Sequence, residues 1–432
     1  MVIKLTIIAS AMLMIDIRTI GLETFLPCAT LLSVFLDMKY SNPNLQFSFR
    51  LKYTKVFCLK SIFIFLISSC SFGNTIPEIN ADDSTTVISI NSIRVGAQNT
   101  LNIIALLKHK KVGIVGNQSS LVGITHLVDT LVSSQVNVVR VFSPEHGFRG
   151  DADAGEVVSN GKDSKTGLPI VSLYGKNKKP TDEQLKGIDI MIFDIQDVGV
   201  RFYTYISTLH YVMQACAENN IELIVLDRPN PNGHYVDGPI LDMKYASFVG
   251  MHPIPIVHGM TIAEYAQMIN GEGWLGENVT CKLTTVLCEG YSHDTPYSLP
   301  VPPSPNLRSD LSVQLYPSLC LLEATTVSIG RGTDFPFEVY GHPDFPITTF
   351  SFTPKAGFGS KDPKQEGLNC NGYHLNDKQY ERIYQLDFSF LVNANKQLNG
   401  KLFIDQDKFL NLLAGNDVLI EQLKNGLSEA EI

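Results

Sequence analysis

Four short apolar runs set the frame for this chain. They are Val112-Gly-Ile-Val-Gly116, Val136–Phe142, Asp189-Ile-Met-Ile-Phe-Asp-Ile195 and Ile221-Glu-Leu-Ile-Val-Leu226. Each is short and rich in β-branched residues, and each stops at polar residues, the pattern of a buried strand. A fifth run, Ile170–Leu173, stops at Tyr174-Gly175. Segments with helical spacing lie between them, at Thr100–Lys108, Thr125–Leu131, Thr181–Leu185 and Ser207–Asn219. Alternation of this kind predicts an α/β fold, a parallel sheet with helices on both faces. Parallel strands bring their carboxyl ends to one edge, where open α/β sheets bind ligands. Asn117, Glu145, Asp194, Asp197, Arg201, Asp227, Arg228 and Asn230 all fall at such ends. One polar residue there is accounted for by a helix cap or a turn. Several strands ending this way predict a shared site.

The run Val138-Val-Arg-Val-Phe-Ser-Pro-Glu-His-Gly-Phe-Arg-Gly150 is the most informative. It breaks at Pro144 and delivers Glu145, His146 and Arg149 into a loop with glycines at 147 and 150. The loop continues through Asp151, Asp153 and Glu156, and a long loop inside a compact domain signals function. The phosphate-binding glycine pattern is missing after the first strand, where Asn-Gln-Ser-Ser follows Gly116, so no dinucleotide cofactor is expected. There is no Gly-x-Ser-x-Gly elbow for a serine hydrolase, and no His-Glu-x-x-His spacing for a metal. Neither a cofactor nor a metal is expected.

A formal net charge of −9 argues against nucleic acid as a partner, since phosphate binding needs a basic footprint. The eight cysteines form no Cys-x-x-Cys pair; Cys281 and Cys288 can pair in an oxidising compartment or remain buried thiols.

Residues 1–70 read as an export region. Lys52, Lys55 and Lys60 precede or enter Ile62-Phe-Ile-Phe-Leu-Ile67, and Ser68-Ser69-Cys70 comes next. Basic, apolar and small residues in that order make a secretory signal, with an apolar run too short for a membrane span. Ile67-Ser-Ser-Cys70 resembles a lipobox, which implies lipidation of Cys70, and Ser71 favours the outer membrane by resemblance to bacterial sorting rules. The protein is therefore expected to be exported, periplasmic and membrane-associated only through a lipid anchor. The start of such a signal is expected nearer Met38 than Met1. Residues 71–94 read as a tether, 95–245 as the catalytic domain and 246–432 as a second, smaller α/β (α+β) domain.

In that second part Thr261-Ile-Ala-Glu264 is a capping box, which gives Glu264 a structural role to set against a chemical one. Val279–Leu287 alternates like a strand. Pro300-Val-Pro-Pro-Ser-Pro-Asn306-Leu-Arg308 is a stiff loop that aims the residues after its prolines. Tyr316–Ala324 and Asp377–Leu386 read as helices. Arg331, between two glycines, reads as an anion contact or as a salt bridge at a turn.

Five motifs together resemble the NamZ-type exo-β-N-acetylmuramidases. They are Ser143-Pro-Glu-His-Gly-Phe-Arg-Gly150, Asp194-Ile-Gln-Asp-Val-Gly-Val-Arg-Phe-Tyr-Thr-Tyr205, Leu226-Asp-Arg-Pro-Asn-Pro231, His258-Gly-Met-Thr-Ile262 and Gly330-Arg-Gly-Thr-Asp-Phe-Pro-Phe337. The resemblance spans about residues 95 to 430. It implies a Rossmann-like domain joined to a smaller α/β domain, a site in the cleft between them, and removal of terminal N-acetylmuramic acid from the non-reducing ends of peptidoglycan fragments. It also implies that Glu145 is the leading catalytic carboxylate. Two departures stand out: Ala263 replaces a usual Gly, and the family pattern continues where this chain stops at Ile432, so the C-terminal part is expected to be cut short.

Glycoside cleavage needs an acid for the leaving oxygen and stabilisation of an oxocarbenium-like centre. Glu145, flanked by Pro144 and Phe148, is the candidate acid; Asp197, Asp194 or Glu264 is the candidate second carboxylate. The lactyl carboxylate of muramic acid needs a cation, for which Arg308 and Arg331 are candidates because guanidinium grips carboxylate bidentately. Tyr203 and Tyr205 either line the sugar pocket or belong to the core. His146, His258, Asn306 and Thr333 complete the candidate substrate-binding set. Two other readings are a metal-dependent amidase or esterase acting on cell-wall fragments, and a lipoprotein that binds muropeptides without turnover.

Overall fold

The computed structural model describes residues 3–5, 34–38, 49–51, 93–150, 161–376, 380–401 and 407–432. The chain divides into two units, Met1–Ile88 and Ser89–Ile432. In the first, Ile3–Leu5, Val34–Met38 and Phe49–Leu51 pair as a small antiparallel sheet. The export signal, Cys70 and nearly all of the tether lie outside the described residues, as do Asp151, Asp153 and Glu156. Among the described residues no helix is long and apolar enough to cross a membrane.

The second unit is built on a mixed, mainly parallel seven-stranded sheet. Its strands are β1 (Val112–Gly116), β2 (Val138–Ser143), β3 (Gly161–Lys162), β4 (Pro169–Ser172), β5 (Ile190–Asp194), β6 (Glu222–Leu226) and β7 (Leu283–Val286). Their order is β7-β6-β5-β1-β2-β4-β3, and only the edge strand β3 runs antiparallel. β1 and β5 are buried at every position, which is why they are unbroken apolar runs. Ile192 lies opposite Ile114 on one side and Ile224 on the other. The alternation of strand and helix was therefore a sound guide to the α/β architecture.

Four of the helices are α1 (Thr100–Leu106), α2 (Leu127–Ser133), α3 (Asp182–Leu185) and α4 (Tyr205–Glu218). α4 buries ten of its side chains, and seven of them, among them Tyr205, Leu209, Val212 and Met213, join the larger apolar core. β7 joins the main sheet beside β6, so that sheet reaches well past residue 245, where the sequence reading placed the second domain. α5 (Ile262–Gly271) starts on the Thr261 capping box. A separate antiparallel sheet of β8 (Val339–His342), β9 (Phe350–Phe352) and β10 (Cys370–His374) packs near α7 (Ser389–Gln397).

Two helices differ from expectation. The one expected over Tyr316–Ala324 begins six residues earlier as α6 (Asp310–Leu319), because Ser309 caps it by accepting from Ser312 N, and Cys320–Ala324 tightens into a 3-10 turn. The described part of Asp377–Leu386 is not helical. Its amides are claimed by side chains instead: Ile383 N by Gln314 Oε1 and Leu386 N by Asp237 Oδ2. A backbone donor bonded to a distant side chain is lost to the helical ladder. The described cysteines, 216, 281, 288, 320 and 370, are all free thiols, Cys281 and Cys288 included.

Candidate active site

β2 ends by feeding Pro144 and Glu145 into a sharp turn. His146 takes φ 72° and Gly147 φ 81°. A left-handed residue other than glycine costs roughly 1 kcal/mol or more and is held only by its surroundings. Here Arg149 supplies much of the hold. Its guanidinium spans two aspartates, with Nε and Nη2 each 2.8 Å from Asp163 and Nη1 and Nη2 at 3.2 and 3.0 Å from Asp129. Asp129 lies in the first turn of α2, and Lys165 joins it at 2.7 Å. Phe148 is buried, edge-on to His126 at 4.7 Å, with the Arg149 guanidinium over its ring. The loop is thus pinned to the sheet's carboxyl edge.

Glu145 lines a cavity of about 590 Å³ together with Tyr174, Phe248, Tyr316, Glu323 and Arg331. A smaller recess shares Glu145, Tyr316 and Arg331 and is walled by His146, Tyr203, Tyr205 and Phe337. The Tyr174 hydroxyl hydrogen-bonds the Glu145 carboxylate; burial, then that charge, pushes the phenol above its usual range. The tyrosines form an edge-to-face wall, Tyr203 to Tyr205 at 4.9 Å, Tyr203 to Tyr316 at 5.6 Å, and Tyr316 to Phe337 at 5.1 Å. Burial raises the phenols of Tyr203 and Tyr205, and the charges of both Glu145 and Asp197 act in the same direction. They are neutral ring faces and hydroxyls at neutral pH.

Arg331 reaches this cavity from its loop because of its neighbours. Gly330 and Gly332 have φ of 81° and 77°, and a Cβ on Gly332 would meet Lys355 O at 2.5 Å. Only glycine fits that approach. The Arg331 Nε donates to Glu323 at 2.7 Å and the guanidinium lies over Phe337, itself at φ 60°. Among the described residues that is the guanidinium's one hydrogen bond, which leaves both terminal nitrogens for an anion. Of the two sequence readings of Arg331, the salt bridge at a turn is seen as its pair with Glu323.

Much of the rest of the expected set is occupied elsewhere. Asp194 and Arg228 are consumed by each other, in a fully buried ion pair at 2.6 and 2.9 Å. Arg201 is buried with no carboxylate beside it among the described residues; its guanidinium donates to the carbonyls of Pro239, Ile254 and Leu413 and ties down the chain. Asp227 accepts from Ala263 N at the start of α5, with burial raising its pKa. Glu264 completes the capping box, accepting from Thr261 N, and pairs with His293; it lines neither cavity. Asn230 bonds Met260 O, Asn306 bonds Gly359 O, and the Thr333 hydroxyl closes its own turn on Gly330 O. Exposed Arg308 folds back on Pro305 O. Asn117 caps the turn at Ser119. Asp197 accepts from Gly199 N at 2.7 Å and faces His258 Nε2 at 3.7 Å, behind the tyrosine pair.

Tyr174, Tyr316 and Glu323 line the cavity and were not anticipated. Tyr174 sits at a strand end like Glu145, but an un-ionised phenol does not stand out there. Glu323 lies in a 3-10 turn without periodicity. Among the described residues no group of three His, Cys, Asp or Glu is arranged to hold a metal.

Comparison with known proteins fits this geometry. Residues 112–311 match the family Exo-beta-N-acetylmuramidase NamZ, N-terminal, and residues 314–432 match Exo-beta-N-acetylmuramidase NamZ, C-terminal. The chain is similar to the peptidoglycan beta-N-acetylmuramidase NamZ of Bacillus subtilis (strain 168), at 37% identity over 400 residues, covering 86% of this chain and 94% of the relative. Two crystal structures of DUF1343 family proteins from Bacteroides fragilis NCTC 9343 are also similar. One is 45% identical with a TM-score of 0.71 over 79% of this chain and 93% of that one. The other is 29% identical with a TM-score of 0.63 over 76% and 91%.

Proposed function

The chain belongs to the exo-β-N-acetylmuramidase NamZ family, and on that premise we propose how its residues cleave the substrate. It is a glycosidase that acts on peptidoglycan-derived saccharide carrying terminal N-acetylmuramic acid. Glu145 is the general acid. As the bond from C1 to the bridging oxygen breaks, its electron pair goes to that oxygen, which takes the Glu145 proton; water adds at C1 and releases a proton, which through solvent restores the Glu145 acid. The Tyr174 hydroxyl holds the Glu145 carboxyl in place. Tyr203, Tyr205 and Tyr316 enclose the sugar ring, and Arg331, steadied by Glu323, takes the lactyl carboxylate. Asp197 supplies negative potential from behind the tyrosine pair.

One observation carries this reading: Glu145 and Arg331, far apart in sequence, line the same cavity. The test is Glu145→Gln. Release of N-acetylmuramic acid should fall by about a thousandfold or more with an unchanged melting curve. Near-normal turnover would remove Glu145 from the chemistry.

The basic, apolar and small residues before Cys70 support export of the protein as an outer-membrane lipoprotein. Radiolabelled palmitate should tag the product through Cys70, and an unlabelled mature product would reduce the motif to an ordinary signal.

A further inference from the structure

A second cavity, of about 580 Å³, lies in the C-terminal part of the Ser89–Ile432 unit, between the β8-β10-β9 sheet and α7. It shares no residue with the Glu145 cavity. Two stacked ring pairs shape it, Tyr340 with Tyr373 at 5.1 Å and Phe350 with His374 at 5.1 Å. Tyr373, Phe350 and His374 are half-buried, so part of each ring remains exposed. Asn393 adds an amide, its Nδ2 fixed by the Tyr340 hydroxyl. The described lining has hydroxyls, amide and imidazole but no carboxylate, ammonium or guanidinium.

That composition selects a ligand. Among the described residues a phosphate, a peptide carboxylate or a metal would find no counter-charge. A neutral saccharide presents C–H faces to stack on rings, and hydroxyl and acetamido groups for neutral donors and acceptors. The volume falls in the usual range for small-molecule sites, about 300–1,000 Å³. The groove is also tied to the catalytic cavity by one loop. Phe335 packs on His374 at 4.7 Å, and the same loop carries Arg331 and Phe337. We infer that this groove is a second saccharide site, which holds N-acetylglucosamine-containing glycan beyond the sugar being cleaved. The inference rests on the peptidoglycan reading above.

The test is calorimetric titration of the full chain carrying Glu145→Gln with a soluble β-1,4-linked N-acetylglucosamine tetramer. Thr349, exposed at the groove's edge, gives the blocking variant Thr349→Arg, and Tyr373→Ala removes a platform. The expected result is saturable binding that each groove variant weakens at least fivefold, while a Glu145-intact Thr349→Arg protein hydrolyses a small chromogenic muramide at the parent rate. No saturable binding, or equal affinity with and without Thr349→Arg, overturns the inference. Because binding is read on the inactive protein, failure of the catalytic assignment appears only in the hydrolysis arm.

Discussion

The Arg149 clamp offers the sharpest test of how the site is held. Arg149→Met keeps an unbranched apolar stem but removes a guanidinium that makes two contacts to Asp163 and two to Asp129. Asp129 keeps Lys165. Asp163, only 2% exposed, keeps the Thr166 amide and hydroxyl but loses its counter-charge. Removing one partner of a buried pair costs about 3–5 kcal/mol, and the lower figure applies because Arg149 itself is partly solvated. For a unit the size of Ser89–Ile432, about 3 kcal/mol corresponds to a Tm lower by about 4 °C, at about 2.1 cal/mol/K per residue. The pH dependence has a definite sign. Hydrogen bonding from Arg149 holds the Asp163 carboxyl well below the usual carboxylate range. A depressed carboxylate contributes stability that is present above its unfolded pKa, about 4, and is lost as pH falls below it. The gap between the parent and Arg149→Met should therefore be full at pH 7 and narrow only as pH drops below about 4, towards the depressed value that Arg149 imposes. Scanning calorimetry at several pH values measures this. Because the clamp lies four residues from Glu145, kcat should fall by about ten- to a hundredfold with little change in KM. Arg149→Lys should restore only part, since an ammonium cannot span both aspartates bidentately. A Tm difference below about 1 °C at pH 7, or one that does not narrow as pH falls below about 4, would refute the clamp.

Other substitutions separate the cavity from its frame. Arg331→Ala should raise KM for muramic acid substrates far more than for a glucosamine analogue; equal effects would exclude a lactyl contact. Asp194→Asn strands the buried Arg228 charge and should cost about 3–5 kcal/mol in denaturant unfolding, whereas parent-like stability would mean the pair is not coupled. Glu264→Gln preserves the capping box and should stay within about 1 kcal/mol and twofold in kcat; a hundredfold loss would return Glu264 to the chemistry. Tyr174→Phe removes the hydroxyl on Glu145 and should lower kcat with KM nearly unchanged; parent kinetics would show that the bond does not position the acid.

The sheet was legible because burial on both faces leaves no alternative to unbroken apolar strands such as β1 and β5. The helical misreading at Asp377–Leu386 came from a cause that local sequence does not contain, namely amides claimed by Gln314 and Asp237 from elsewhere in the chain. The site was half legible for a related reason. Convergence of polar strand ends on one edge held for the parallel strands β1, β2, β5 and β6, yet convergence also lets those residues satisfy one another. Asp194 met Arg228, Asp227 met the start of α5, and Arg201 met three carbonyls. Burying a charge without a partner costs several kcal/mol, so an edge crowded with ionisable groups first folds most of them into its own structure. Glu145 differs in opening onto space as well as onto a partner, and the cause is the turn after Pro144. The left-handed His146 and Gly147 carry the chain past the sheet edge toward the tyrosine wall.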